Sequence, residues 1–288
     1  MAEGGAAPPP EAMRGKGVSS AIVIIVAVVT FLAGLGVGSV FLGARAPPAK
    51  TTLVVAVQAP FPPFMDFNSS RDVGFEGFEV DIVELIAANL SRILVFRQYS
   101  SFPTLQAETG KNAVDMASAS ITITVARNAT MDFSDGYFRS DQGFLVRKQS
   151  TFACANNLCT PQVLADKIIA VQQGTTSEDW LNTNVKPLMA NPTTQLKVFQ
   201  KVEELIAALT LNTVDVVMID SVTAKDLAGP ANSLFKLAGI VVTNEDYGFA
   251  VANNDPQGLI PVINRVLAQL RASGAYQALI DKWFEFGV

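Results

Sequence analysis

The sequence predicts an α/β protein of two lobes set behind one membrane-spanning segment. Three observations carry that expectation. An uncharged run, GVSSAIVIIVAVVTFLAGLGVGSVFLGA, fills residues 17–44 and is longer than the ~20 residues that cross a bilayer as a helix. From Thr51 onward, short apolar runs of strand length alternate with segments of helical spacing, the rhythm of a parallel sheet covered by helices. That rhythm restarts after Gly143-Phe144-Leu145-Val146 and closes on two helical segments. A chain that builds one lobe, then a second, and returns to the first would read this way.

Residues 1–16 are rich in Gly, Ala and Pro and place Arg14 and Lys16 just before the apolar run. Positive charge on that flank keeps the N-terminus inside and exports the remainder. The apolar region of a cleaved signal peptide is ~7–15 residues, so length favours a retained anchor. No cysteine lies near the end of the run to accept a lipid. Residues 45–50, with Pro47-Pro48, read as a short stiff linker. Beyond it, Leu53–Val57 reads as a buried strand, Phe78–Leu90 as a helix and Ile93–Tyr99 as a strand. A second strand–helix pair leads to Ser120–Ile123 (a strand end), Thr124–Arg127 (a helix-starting turn) and Met131–Phe133 (a short strand). In the second half, Ile168–Val171 and Val214–Ile219 read as strands, and Glu178–Thr183 and Val202–Leu211 as helices. Ile260–Ser273 and Ala275–Phe284 are the closing helices.

Composition excludes several functions. There is no histidine, which removes His-based triads, His metal ligands and His proton shuttles. The formal charge of −5 divides into +2 on residues 1–50 and −7 on residues 51–288. An acidic globular part argues against a nucleic-acid partner. Cys154 and Cys159 are the only cysteines, too few for a zinc site without histidine. In an exported segment they are expected to form a small loop disulfide, the alternative being two inert thiols. No cofactor or metal is expected.

The chemistry concentrates in SITITVARNATMDFSDGYF, residues 120–138. Thr122 and Arg127 stand five residues apart across a turn, so a hydroxyl and a planar fork of donors can converge on one carboxylate. Gly174-Thr175-Thr176-Ser177 follows a strand and opens a helix, whose free N–H groups can hold the same anion from the other side; Thr176 or Ser177 would also serve as a plain N-cap. Asp220 ends the apolar strand VDVVMI, where an acid is commonly the cap of the next helix.

The 120–138 segment closely resembles the signature of the extracellular solute-binding proteins of polar-amino-acid ABC importers, above all the glutamine- and lysine/arginine/ornithine-binding branch. The resemblance spans about Thr51 to Phe286 and includes FPPF near Phe61, GFEGFEVDI around Glu79 and Asp81, and GAYQALIDKWF at the end. It implies the type II periplasmic binding protein fold, with crossovers near Tyr137–Gln142 and Val242–Tyr247. Lobe 1 would comprise 51–140 and 245–288, and lobe 2 residues 141–244. By the same resemblance Ser120, Thr122 and Arg127 grip the ligand's head group, Ser120 and Thr122 mainly as backbone and hydroxyl donors. Gly174 and Thr176 contact its carboxylate, Asp220 binds its ammonium, and Phe61 and Phe102 sandwich its side chain. Gln58 and Gln172 face the side-chain pocket, where many relatives carry an acid and the glutamine-binding branch a lysine.

The implied function is a non-enzymatic, membrane-anchored receptor at the cell membrane. It would close two lobes over a polar L-amino acid and deliver it to an ABC permease. A cyclohexadienyl or arogenate dehydratase on the same fold would need a pocket acid aimed at a ring hydroxyl. An extracellular amino-acid sensor would need a partner subunit, because the tail of about sixteen residues holds no signalling module.

Overall fold

The computed structural model describes residues 51–285. The expected tail, membrane anchor and linker at residues 1–50 lie outside the described residues. Among the described residues no helix is long and apolar enough to cross a membrane.

Twelve strands build the described part: β1 (Thr52–Val57), β2 (Asp66–Phe67), β3 (Phe75–Glu76), β4 (Ile93–Gln98), β5 (Met116–Ala117), β6 (Met131–Phe133), β7 (Phe138–Arg147), β8 (Ile169–Gln172), β9 (Leu196–Phe199), β10 (Val216–Asp220), β11 (Phe235–Tyr247) and β12 (Ala250–Ala252). One five-stranded sheet has the order β4-β1-β5-β12-β6, and another has β11-β7-β10-β8-β9. Within each, the strands joined by helices pair in parallel, as in β4-β1-β5 and β10-β8-β9. The returning β12 and the long pair β7 and β11 run antiparallel to their neighbours.

Both sheets are covered on two faces, which explains their continuous apolar strands. Leu53, Val55 and Val57 enter one core with the helix Phe78–Asn89 and the C-terminal helix Ile260–Ser273, while Ala56 faces the other side with Leu105. In the second sheet Ile169, Val171, Val216 and Met218 point one way, and Ala170, Val217 and Ile219 the other. The long strands β7 and β11 connect the two halves. Phe138 and Tyr247 belong to the first core, whereas Phe144, Val146 and Ala238 belong to the second.

The three motifs outside the 120–138 signature meet in space. Phe64 of FPPF packs edge-on against Phe78, Phe138, Tyr247 and Phe284, with centroids 4.9–6.2 Å away. Gly77 lies so close that a Cβ there would be 2.2 Å from the Phe64 carbonyl oxygen. Asp81 of GFEGFEVDI takes Lys282 Nζ at 2.6 Å, the Trp283 indole N–H at 2.8 Å and Arg71 at 3.1 Å. The KWF ending is thereby tied to the helix Phe78–Asn89.

Ser120–Ile123 is not a strand end. Ser120 has φ 47°, and only Thr122 makes a bridge, to Tyr247. The cause is Glu79, which is fully buried and accepts both the Ser120 N–H (2.8 Å) and its hydroxyl (2.6 Å), with Ser118 and Tyr137 donating as well. Four donors on one carboxylate pull the chain out of the ladder and into a turn.

Cys154 and Cys159 are joined in a disulfide. Cys154 N–H donates to Ala238 and Cys159 N–H to Ile240, both at 2.8 Å, so the loop straddles Gly239 on the edge strand β11. A Cβ on Gly239 would stand 2.8 Å from Cys154 Cβ. Closing so short a loop contributes about 2 kcal/mol in the chain-entropy model; its visible structural effect is to cover an open sheet edge.

Candidate functional site

Where the two sheets face each other, one cleft is lined by Gln58, Phe61, Phe102, Ser120, Thr122, Arg127, Gln172, Thr176 and Asp220, together with Ala119, Thr175 and Val202. These come from both halves of the chain. Of the residues expected in the site, Gly174 alone stays out of this wall.

Arg127 sits in the short helix Val125–Asn128, whose N-cap Thr124 accepts the Arg127 N–H. Its guanidinium donates to the Thr122 carbonyl at 2.8 Å and, across the cleft, to the Gly174 carbonyl at 3.1 Å. It lies 5.4 Å from the Phe102 ring centroid, a cation–π distance. Burial lowers its pKa, while Glu245 and Asp220 oppose that shift. The result is a cation held between two lobes with its remaining donors along the cleft wall.

Asp220 ends β10 and precedes the helix Ser221–Ala228, but its side chain makes no capping bond. It accepts instead from Gln142 Nε2 at 2.9 Å. The residue keeps some opening to the cleft, yet enclosure by protein pushes its carboxyl up to about 7, and the charge of Glu245 adds to this; Gln142 and Arg127 pull the other way.

Several expected roles change. The Ser120 N–H and hydroxyl both go to Glu79, so Ser120 is not a donor to a ligand and can offer only its carbonyl. The Thr122 and Thr176 hydroxyls both donate to Glu245 Oε2, at 2.7 and 2.6 Å. The Gly174 N–H donates to Glu178, and its carbonyl receives Arg127 and Gln106. The N-cap of the helix Thr176–Asn184 is Thr175, which accepts the Glu178 N–H, rather than Thr176 or Ser177. The backbone N–H of Thr176, in the helix's first turn, therefore stays available for an anion.

Phe61 and Phe102 stand on the cleft wall from loop and helix start respectively, Phe102 immediately after the N-cap Ser101. At the far end Gln172 Nε2 donates to Gln58 Oε1 at 2.7 Å and to the Gln200 carbonyl at 3.0 Å. Two side chains assigned only a pocket-facing position thus bridge the two halves directly.

Local sequence pattern does not mark Glu245, Gln142 or Glu79 as part of the site. All three are polar and buried, yet each stands among other polar residues (Asp81 and Glu84, Arg139 and Asp141, Asn244 and Asp246), so burial and not pattern sets them apart. Gln142 and Glu245 sit on the crossover strands themselves.

With this geometry in place, comparison with known proteins identifies the group. Residues 53–286 match the family model for bacterial extracellular solute-binding proteins, family 3, and the chain belongs to that family. The resemblance to the binding proteins of polar-amino-acid ABC importers, carried by residues 120–138, stands with it. The glutamine-binding protein GlnH of an ABC transporter from Bacillus subtilis is 29% identical over 216 residues, covering 73% of each chain. A mutant of ArgBP from T. maritima superimposes with a TM-score of 0.71 at 31% identity, covering 81% of this chain and 95% of the other. The ancestral amino acid-binding protein AncCDT-1, a precursor of cyclohexadienyl dehydratase, gives a TM-score of 0.69 at 26% identity over 82% of this chain and 96% of its own. The type II periplasmic binding protein fold follows from these neighbours.

Gly174 adopts φ 75°, and a Cβ there would lie 2.8 Å from Pro103 Cγ on the opposite side of the cleft. A methyl group at this point collides with a rigid ring only when the lobes approach. Gly174→Ala is expected to raise the dissociation constant for the ligand by about tenfold, beyond a loss of about 1 kcal/mol in fold stability from the positive φ. Calorimetry and thermal melts of the two proteins separate these effects.

Proposed function

We propose that this protein is the substrate-binding component of a polar-amino-acid ABC importer, held at the outer face of the cell membrane by residues 17–44. It closes two lobes over a zwitterion and passes it to the permease without altering it. The observation that supports this most is Arg127, a guanidinium between the lobes with Asp220 nearby. Arginine offers two parallel donors to a carboxylate, and aspartate accepts an ammonium; free amino acids carry both groups on one carbon.

The side-chain end favours an uncharged polar ligand, glutamine first. Phe61 and Phe102 suit an aliphatic stem, and Gln58 with Gln172 offers donors and acceptors without formal charge. A buried ligand guanidinium or ammonium there would lack a counter-ion, which costs several kcal/mol. A side-chain amide satisfies both its donor and acceptor sites against two glutamines.

The dehydratase reading is less well supported. It needs an acid aimed into the pocket, whereas Glu245 lines the cavity on the hinge side of Thr122 and Thr176, with partners on both oxygens. Asp220 is the acid on the cleft wall, and in this reading the ligand's ammonium engages it.

A competition assay on the full-length protein is expected to rank glutamine or asparagine above arginine and lysine; the reverse order would refute the ligand assignment. Arg127→Ala and Asp220→Ala should each weaken binding by roughly 2–5 kcal/mol, up to several thousandfold, because each leaves a desolvated charge without its partner. Titration calorimetry measures that loss, and unchanged circular dichroism shows that the fold survives.

Asp220 also fixes the pH dependence. Its folded pKa of about 7 lies above the ~3.9 of an unfolded aspartate. In the ligand-free protein its stabilising contribution is complete below about pH 4 and is lost as pH rises through 7. Ligand binding runs the opposite way, since the ammonium requires the carboxylate. Below pH 7 affinity should fall by up to about tenfold per unit, with release of a proton. Calorimetry in two buffers of different ionisation enthalpy reads that proton.

The anchor is checked by intact mass of the protein in the membrane fraction. The full chain is expected there, and a form starting near Ala46 would remove the anchor from the proposal.

A further inference from the structure

Glu245 carries a set of contacts that amino-acid binding does not use. It sits on β11 just past an irregularity: Val241 pairs with Gln142, but the next pair is Glu245 with Ser140. Regular antiparallel pairing would place Thr243 opposite Ser140, so two extra residues are accommodated here. Asn244 takes φ 51°, and Asp141 Oδ1 accepts the Thr243 and Asn244 N–H groups at 2.9 and 3.0 Å. Such a bulge re-aims a side chain. Here the side chain is a buried carboxylate lying between the lobes.

One oxygen, Oε2, receives the Thr122 hydroxyl from the first lobe and the Thr176 hydroxyl from the second. The other, Oε1, receives Gln142 Nε2 at 2.9 Å. Gln142 is fully buried, also donates to Asp220, and accepts the Ser177 hydroxyl. Every contact is a donor presented to the carboxylate; an amide in its place removes the charge and, with its oxygen toward Gln142, leaves the two threonine hydroxyls to accept from a neutral N–H₂ group instead of donating to an anion. The arrangement joins both lobes to the strand about which they move.

We propose that Glu245 is a closure latch: a positioning residue that holds the closed form by gathering Thr122 and Thr176 onto one carboxylate oxygen, whether or not ligand is present. Separation of the lobes breaks the Thr122–Glu245–Thr176 bridge. The latch therefore raises the population of the closed form and slows ligand escape without touching the ligand. This extends the lobe-closure reading above, and its principal readout involves no ligand.

The test uses the full-length protein in nanodiscs with spin labels at Ile93→Cys and Leu211→Cys. Both positions are exposed and lie in opposite lobes, and the native cysteines are occupied by their disulfide. Interlobe distances are compared for the otherwise native protein and Glu245→Gln, without ligand. The native residue should give a measurable short-distance population that Glu245→Gln reduces by about tenfold, as expected for losing charge-assisted hydrogen bonds. With L-glutamine as probe, the dissociation rate should rise by a similar factor while the association rate changes little. Should Glu245→Gln fail to fold, Thr176→Val removes one arm of the bridge and must shift the distances in the same direction. Identical ligand-free distributions, or no short-distance population with the native residue, would overturn the latch. Failure of L-glutamine to bind with the distance shift intact would instead count against the ligand assignment alone.

Discussion

The closed cleft depends on one partly buried cation. Arg127 loses hydration between the lobes, and burial of a guanidinium is tolerated only where hydrogen bonds and opposite charge replace water. Thr122 supplies one carbonyl from its own lobe and Gly174 the other from across the cleft, while Asp220 and Glu245 supply negative charge. Because one partner lies on each side, the set is complete only when the lobes meet.

Glu79 performs the complementary task within one lobe. Its four donors come from Ser118, Ser120 and Tyr137, residues before and within the signature segment. A fully buried acid so satisfied acts as a rigid hub. It fixes the turn that delivers Thr122 and Arg127 to the cleft. The GFEGFEVDI motif is thereby explained at both ends, since Asp81 binds the C-terminal Lys282 and Trp283 while Glu79 supports the site.

Much of this was legible in the sequence because the periodic signals were strong. The helix Ile260–Ser273 has the bounds that its spacing predicts, and β1, β8 and β10 fall within a residue or two of the expected strands. Local pattern did not reveal long-range polar contacts. Ser120 reads as a strand-end hydroxyl until Glu79, forty-one residues earlier, is seen to take both its donors. Thr176 reads as a cap or a ligand donor until Glu245, sixty-nine residues later, receives its hydroxyl. β9, Leu196–Phe199, is four residues at a sheet edge, too short a run for its pattern to mark a strand.

The contact of Gly174 with Pro103 has a consequence for how the closed form presents itself. Two groups with little freedom to yield, a glycine backbone and a proline ring, meet across the cleft. They act as a mechanical end-stop. The final angle between the lobes is then set by the protein's own surfaces and not by the bulk of the cargo. Every ligand small enough to allow full travel produces the same outer contour. A partner reading that contour would register closure itself, not the identity of what the cleft holds.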